Sequence, residues 1–327
     1  MTRLLVLDTQ AYADRDISLE AQLLGPDVEI ERFAFDGDVN SLVEAARFAE
    51  VILTDYTPLD SHLISNLHRC RLISVAATGY NAVDIEAAQQ ARISVCAIDE
   101  YCTQEVADHT LTLILALCRH LVPYHTQVQQ EQLWRFDSRS GLRRLGELTL
   151  GLIGYGRIGQ AVAQRATAFG MTVMASDPYA DDQEVRNTRV DVIYENADVI
   201  SLHCSLSEEN HHMLDSSAFS KMARNPILIN VARGGLIDEM ALVKALDCGQ
   251  VSGAGLDVLE EEEPSLQSHP LLGRENVILT PHVAFYSDAS ARDNKTISAM
   301  NIRHFLDGNH DAVRRYIHQE QTTWPRS

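Results

Sequence analysis

The chain contains no C-x-x-C pair and no histidine spacing of the kind that holds a metal, despite its 6 cysteines and 13 histidines. Cys70, Cys96, Cys102, Cys118, Cys204 and Cys248 are scattered, several of them inside apolar runs. They read as reduced, buried thiols of a cytoplasmic protein, and no metal is expected. His211 and His212 are adjacent, so on a regular element their side chains would diverge. Basic residues are also in deficit. Lys plus Arg number 27 against 46 Asp plus Glu, for a formal net charge of −19. Such a surface repels nucleic acid and anionic membranes, although one local arginine can still bind a small anion. Long hydrophobic runs are missing as well. The longest helical apolar segment, Leu111 to Leu117, cannot span a bilayer. The opening Met1-Thr2-Arg3-Leu4-Leu5-Val6-Leu7-Asp8 is too short and too soon acidic for a signal peptide, so a cytoplasmic location is expected.

What remains is an ordinary globular composition, 45% hydrophobic and 22% charged, in 327 residues, enough for two domains. Strand-like and helix-like segments alternate nearly throughout, which predicts a parallel α/β protein. The first series places strands at 3–8, 28–34, 51–54, 72–76 and 93–96, with helices at 18–24, 41–49, 60–68 and 84–91. A helix over 104–122 follows, ending before Pro123. Gln129 to Arg144 is then polar and arginine-bearing. It reads either as a solvated arm or as a subunit contact built on Trp134. The second series places strands at 149–153, 171–176, 199–204, 227–231, 252–257 and 276–280. Its helix at 239–248 carries Asp238 as N-cap and Gly249 as C-cap signal. A last helix near 288–307 lies beyond the sixth strand, so it is expected to return and pack on the first domain. The expected fold is α/β, with two doubly wound parallel-sheet domains. One domain, at 102–286, is inserted into a discontinuous second domain at 1–101 plus 287–327, and the two crossings form a hinge beside a cleft.

Gly154-Tyr155-Gly156-Arg157-Ile158-Gly159 is the most informative stretch. It follows an apolar strand, opens a helix, and precedes a second strand ending at Asp177. That order of strand, glycine turn, helix, strand and acid is what a dinucleotide site needs. Gly154 permits the tight turn, Gly156 lets a pyrophosphate approach, and Gly159 lets the helix lie close on the sheet. The helix N-terminus attracts the phosphates. Asp177 would accept hydrogen bonds from the ribose hydroxyls and repel a 2′-phosphate, favouring NAD over NADP.

Three more motifs are expected just past strand ends, where α/β sheets bind ligands. Asn230-Val231-Ala232-Arg233-Gly234-Gly235 presents a guanidinium able to grip a carboxylate with two N–H groups; the plain alternative is an arginine paired with a structural acid. Gly255-Leu256-Asp257-Val258-Leu259 leads into Glu260-Glu261-Glu262-Glu263-Pro264, most of which should be a solvated face. Thr280-Pro281-His282 positions a histidine after a proline. A histidine with an arginine and a glutamate beside a nicotinamide pocket suits proton-coupled hydride transfer.

In order and spacing these motifs resemble the D-isomer-specific 2-hydroxyacid dehydrogenase family, over essentially the full length. Ala76-Ala77-Thr78-Gly79-Tyr80-Asn81 is similar to that family's substrate-carboxylate loop. The segments Tyr101 to Val106 and Pro281 to Ser287 look most like a bacterial branch related to the carboxy-terminal-binding-protein corepressors and to glycerate dehydrogenases. The resemblance implies a Rossmann domain within a flavodoxin-like substrate domain, an NAD cofactor, and a homodimer that binds neither nucleic acid nor membrane. It implies His282 as acid and base, Arg233 as the grip on the 2-keto acid, and the Thr78 and Gly79 amides as receivers of its carboxylate. Asp257 would orient the nicotinamide carboxamide. Arg157, Ile158, Cys204, Ser205, Val231 and Ala232 would complete the coenzyme site, with Arg233 and His282 also touching it. The glutamate that pairs with His282 is left between two positions. Register from Asp257 picks Glu262, the favoured choice, and adjacency to Pro264 picks Glu263. Ser205 stands where the family commonly has proline. Small substrates such as glyoxylate or hydroxypyruvate are favoured. The other class of reading is an NAD-sensing corepressor-like protein with weak turnover.

Overall fold

The computed structural model describes residues 1–9, 15–180, 186–261 and 264–320. The chain divides into two compact units. One comprises residues 1–101 with those from Ser287 onward, and the other comprises Cys102–Tyr286.

In the first unit the strands are β1 (Thr2–Thr9), β2 (Val28–Phe35), β3 (Val51–Thr54), β4 (Leu72–Val75) and β5 (Ser94–Ala97). All five are parallel, in the order 5-4-3-1-2, the flavodoxin-like arrangement. Leu4, Leu5, Val6 and Leu7 are all buried because helices cover both faces, which is why the strand is a continuous apolar run. Leu5, Leu7, Ile52, Ile73 and Val95 pack against Leu42, Ala46, Leu63, Ile64 and Ala88. On the other face Leu4, Val6, Val51, Leu53 and Leu72 meet Leu24 together with Ala299, Ile302 and Phe305. The last three belong to the helix Asp288–Leu306, which opens on a reciprocal Ser287–Ser290 capping box. The expected return of this helix to the first unit is what its side chains do.

The second unit holds β6 (Thr149–Ile153), β7 (Thr172–Ser176), β8 (Arg186–Asn187), β9 (Val199–Leu202), β10 (Ile227–Asn230), β11 (Gly253–Leu256) and β12 (Val277–Leu279). The order is 12-11-10-9-6-7-8, fully parallel among the described residues. This is the doubly wound dinucleotide-binding order with one strand added, and its direction reverses between β6 and β9. One face packs Ile153, Ile200, Leu202 and Leu228 on Ile193, Phe219, Leu242 and Leu246.

The structure departs from the sequence expectations at three places. β8 and a last strand, β13 (Tyr316–His318, antiparallel to β5), have two and three residues, too short for a period to register. The helix expected over 104–122 is two helices, Thr103–Cys118 and Leu121–Gln129, separated by a left-handed His120. Pro123 therefore sits in a first helical turn, where its missing N–H costs nothing. Finally, the thiols are not uniformly buried. Cys70, Cys96, Cys102 and Cys118 are, and burial pushes Cys70 and Cys96 up to about 12, but Cys204 is half-buried and Cys248 is exposed.

Candidate active site

The residues singled out by sequence in the second unit lie just beyond the carboxyl ends of β6, β7, β9, β10, β11 and β12. At the end of β6 the chain turns at Gly154, with φ +96°. A Cβ there would lie 2.6 Å from the backbone of His203 and Cys204, on the neighbouring β9 loop. Both the left-handed backbone and the close approach require glycine. Gly156 then caps the helix Arg157–Ala168 with no side-chain cap, and a Cβ at Gly156 would meet nothing within 4 Å. A phosphate could therefore approach this helix N-terminus, with its partial positive charge, without meeting a side chain at Gly156. Ile158 is partly buried and Arg157 exposed at its start. A Cβ at Gly159 would lie 2.5 Å from Gly154 O, so any larger residue would push the helix off the turn.

Asp177 follows β7. Its two carboxylate oxygens accept from Tyr155 N at 2.6 Å and Tyr179 N at 2.8 Å, which fixes its orientation beside the glycine turn and leaves lone pairs over. Across the switch point, burial pushes the Cys204 thiol up to about 11 and His203 down to about 3. Ser201 Oγ lies 2.9 Å from His203 Nε2. Cys204 and His203 are therefore both uncharged at neutral pH. Ser205 is exposed, and its carbonyl accepts from Asn210 Nδ2 at 2.7 Å, so a side chain braces the turn that a proline would otherwise stiffen.

Past β10, the buried Asn230 holds the next loop from both sides. Its Oδ1 accepts from Ala232 N at 3.0 Å and its Nδ2 donates to Arg233 O at 2.9 Å. Gly234 packs against the carbonyl of Leu259 so tightly that no side chain fits, which joins this loop to the one after β11. Val231 is buried, and Ala232 and Arg233 are partly so. The Arg233 guanidinium donates from Nη1 to Ala232 O at 2.7 Å. It forms no ion pair among the described residues, so the structural acid of the plain alternative is not found there.

Asp257, 1% exposed, organises the segment after β12. Its Oδ1 accepts from Thr280 Oγ1 and from Val283 N at 2.9 Å; its Oδ2 accepts from Ala284 N at 2.8 Å. His282 N donates to Asp257 O at 2.8 Å. These bonds bracket His282, which holds φ at +50°, and its ring meets Phe285 edge-on at 5.9 Å. A left-handed non-glycine residue is costly and persists where its surroundings over-determine it. His109, from the helix Thr103–Cys118, adds Nε2 at 3.0 Å from Thr280 Oγ1 and 3.7 Å from Asp257 Oδ1. Sequence reasoning missed His109 and Asn230. His109 lies in the polar first half of its helix, between Asp108 and Thr110, where no signal in the sequence sets it apart. β11 separates β10 from β12, so Arg233 and His282 rise from strands about 10 Å apart.

In the first unit the Thr78 and Gly79 amides, just after β4, donate to no acceptor among the described residues. The loop is held through other atoms: Arg315 Nη1 donates to Thr78 O at 3.1 Å and Asn294 Nδ2 to Ala76 O at 2.6 Å. Glu262 and its alternative Glu263 lie outside the described residues. A cavity of about 560 Å³ lined by Arg139, Arg143, Asp198 and Asn276 opens at the amino ends of the second sheet's strands, away from these loops.

Residues 111–284, more than half of the chain, match the family described as D-isomer specific 2-hydroxyacid dehydrogenase, NAD binding domain. The chain belongs to the D-isomer-specific 2-hydroxyacid dehydrogenase family. This dehydrogenase is 33% identical to a hydroxypyruvate reductase of Blautia hydrogenotrophica, over 94% of its own length and 97% of the relative's. It is 36% identical to a glycerate dehydrogenase of Methylorubrum extorquens, over 82% and 86%. Among solved structures it is similar to a D-lactate dehydrogenase from Aquifex aeolicus complexed with NAD and lactic acid, with a TM-score of 0.87, 29% identity, and coverage of 96% and 98%. The dehydrogenase is an NAD-dependent oxidoreductase that interconverts a 2-keto acid and a 2-hydroxy acid. No helix among its described residues is long and apolar enough to cross a membrane.

Proposed function

We propose that the enzyme reduces small 2-keto acids of the hydroxypyruvate and glyoxylate type to D-2-hydroxy acids, and works in reverse when the acid is in excess. Arg233 carries this reading: a partly buried guanidinium at the carboxyl end of a parallel strand, with no acidic partner among the described residues, suits a small anionic substrate. The relatives named hydroxypyruvate reductase and glycerate dehydrogenase favour a three-carbon acid. Glycerate is hydroxypyruvate reduced at C2, so the two names describe one couple.

The residues fit NAD. The uncapped helix start at Gly156, the empty space over it, and the braced Asp177 would hold pyrophosphate and adenosine ribose. Arg157, Ile158, Cys204, Ser205, Val231 and Ala232 would line the remainder. Asp257 would serve two ends, bracing the His282 turn and orienting the nicotinamide carboxamide. When bound, the coenzyme supplies or accepts the hydride.

The chain's own residues manage charge and protons. Arg233 would bind the carboxylate and keto oxygens through two N–H groups, and the Thr78 and Gly79 amides would receive the carboxylate. As the keto oxygen gains negative charge, His282 would donate a proton to it from its imidazolium; in the reverse direction the neutral ring would take the hydroxyl proton. Glu262, or Glu263 beside Pro264, would stabilise the imidazolium. A homodimer in the cytoplasm is also proposed. Leu133 is exposed on the arm after Gln129, and Trp134 and Phe136 are each 90% exposed, a composition that suits a subunit interface.

Mixing the protein with NADH and hydroxypyruvate, glyoxylate and pyruvate tests the reading. Loss of the reduced-nicotinamide absorbance, fastest with hydroxypyruvate, is expected. Measurable NADH binding with no turnover of any keto acid would contradict it and would favour a coenzyme-sensing protein.

A further inference from the structure

Beside the loop that follows Arg233, one group of side chains to which the proposed reaction gives no role has the donors and spacing of a metal site. His211 and His212 are adjacent, and on a regular element their rings would point apart. Here they stack, with centroids 3.9 Å apart and planes 26° from parallel. The cause is the backbone. Glu208–Asn210 forms a capped turn in which Ser207 N donates to Asn210 Oδ1 at 2.7 Å, and His212 follows at φ +52°. The left-handed residue reverses the usual alternation. His212 N donates to Gly235 O at 2.8 Å and Leu214 N to Leu236 O at 3.0 Å, so the segment is fixed against the next loop.

Glu260 completes the group from 48 residues beyond His212. Its own amide is anchored on Glu239 Oε1 at 2.7 Å. Its Oε1 lies 2.8 Å from His212 Nε2 and 3.9 Å from His211 Nε2. All three ligand atoms fall within 4.8 Å of one another. A tetrahedral ion with bonds of about 2.1 Å separates its ligand atoms by about 3.4 Å, between the two distances observed. Small side-chain rotations would therefore seat an ion without moving the backbone.

We propose that His211, His212 and Glu260 bind a divalent transition ion of the zinc class. Two imidazole nitrogens and one carboxylate are borderline-soft donors, which favours zinc, cobalt or nickel over magnesium or calcium. The side chains are between a third and a half exposed, so a fourth position faces solvent and takes water. Bound there, the ion ties the 207–214 segment to residue 260. The plain alternative is a solvated imidazole–carboxylate pair, which contributes little and needs no second imidazole.

The test uses the full, untagged chain stripped of metal. Titration with Co²⁺ is expected to produce the intense visible band of tetrahedral coordination, saturating at one equivalent, and Zn²⁺ is expected to displace it with micromolar or tighter affinity. His212→Asn keeps a residue that tolerates the left-handed backbone. That variant, His211→Ala and Glu260→Gln should each weaken Zn²⁺ binding by tenfold or more, while His304→Ala should not change it. Circular dichroism and melting in EDTA check that the variants fold. Failure to saturate at millimolar Zn²⁺, an octahedral cobalt spectrum, or equal affinity in the three ligand variants and wild type would overturn the proposal.

Discussion

The two units are built on the same plan, and they differ most at the carboxyl end of their first strand. In the first unit that end is filled by the chain's own charges. Asp8, 6% exposed, accepts from Arg15 Nε at 2.6 Å and from Arg32 Nη2 at 3.1 Å, and Arg15 Nη1 donates to Glu20 Oε1 at 2.7 Å. Glu20 lies in the first turn of the helix Ser18–Leu24 and so places an acid where a phosphate would otherwise sit. In the second unit the corresponding strand ends at Gly154, and the following helix has neither a side-chain cap nor an acid in its first turn. A doubly wound sheet does not by itself make a coenzyme site. The site depends on whether local residues occupy the helix N-terminus or leave it open.

Substitutions in the two units should break apart accordingly. The largest effect is expected at Gly154→Ala, where the new Cβ meets main chain that cannot yield. Stability should fall by about 3 kcal/mol, and NADH affinity should collapse. Gly37→Ala, equally left-handed at φ +97° but with open space around it, should cost about 1 kcal/mol and leave NADH binding intact. Equal losses by thermal melting would mean that backbone conformation alone decides and the close approach to His203 does not matter. Next comes Asp8→Asn, which removes the charge shared by Arg15 and Arg32. It should destabilise by about 2 kcal/mol in urea unfolding, with NADH affinity unchanged. Its mirror, Asp177→Asn, loses one of two acceptors for backbone N–H groups and should cost about 1 kcal/mol, while narrowing the preference for NADH over NADPH by about tenfold, or 1.4 kcal/mol. A preference unmoved in direct titrations would remove Asp177 from ribose recognition.

A last effect is absent at neutral pH and appears only on acidification. Burial holds His203 near 3, below its usual 6.5. The unfolded chain therefore takes up the proton first. The resulting stability is fully present above pH 6.5 and is lost as pH falls toward 3, by about 1 kcal/mol over the first pH unit. His203→Gln should melt with a shallower acid dependence over that window. Identical slopes would show that His203 is hydrated in the native state.

The strands and the glycine turn were legible because they rest on short-range rules. Ile153-Gly154 and Gly156-Arg157 are a strand end and a helix start within a few residues of each other. The family resemblance extended that reading to the loops bearing Arg233, Asp257 and His282, whose placement after β10, β11 and β12 follows from the strands. β8 and β13 were not legible, since two or three residues carry no period. Pro123 was misread as a stop because the break at His120 needs no special residue. His211 and His212 were set aside by a rule that holds only on regular elements, and a left-handed backbone at a histidine leaves no mark in sequence. Asp257 was read for its carboxamide role alone. Its three bonds to residues 280–284 depend on how tightly the β12 loop folds back, which spacing does not reveal.

Steady-state kinetics of His282→Ala, measured alongside NADH binding, test the acid–base role of this histidine most directly. Turnover should fall by about a hundredfold or more while the Kd for NADH stays within about twofold of wild type. A parallel loss of turnover and coenzyme affinity, or near-normal turnover, would contradict that role and leave His282 as a structural residue of the β12 loop.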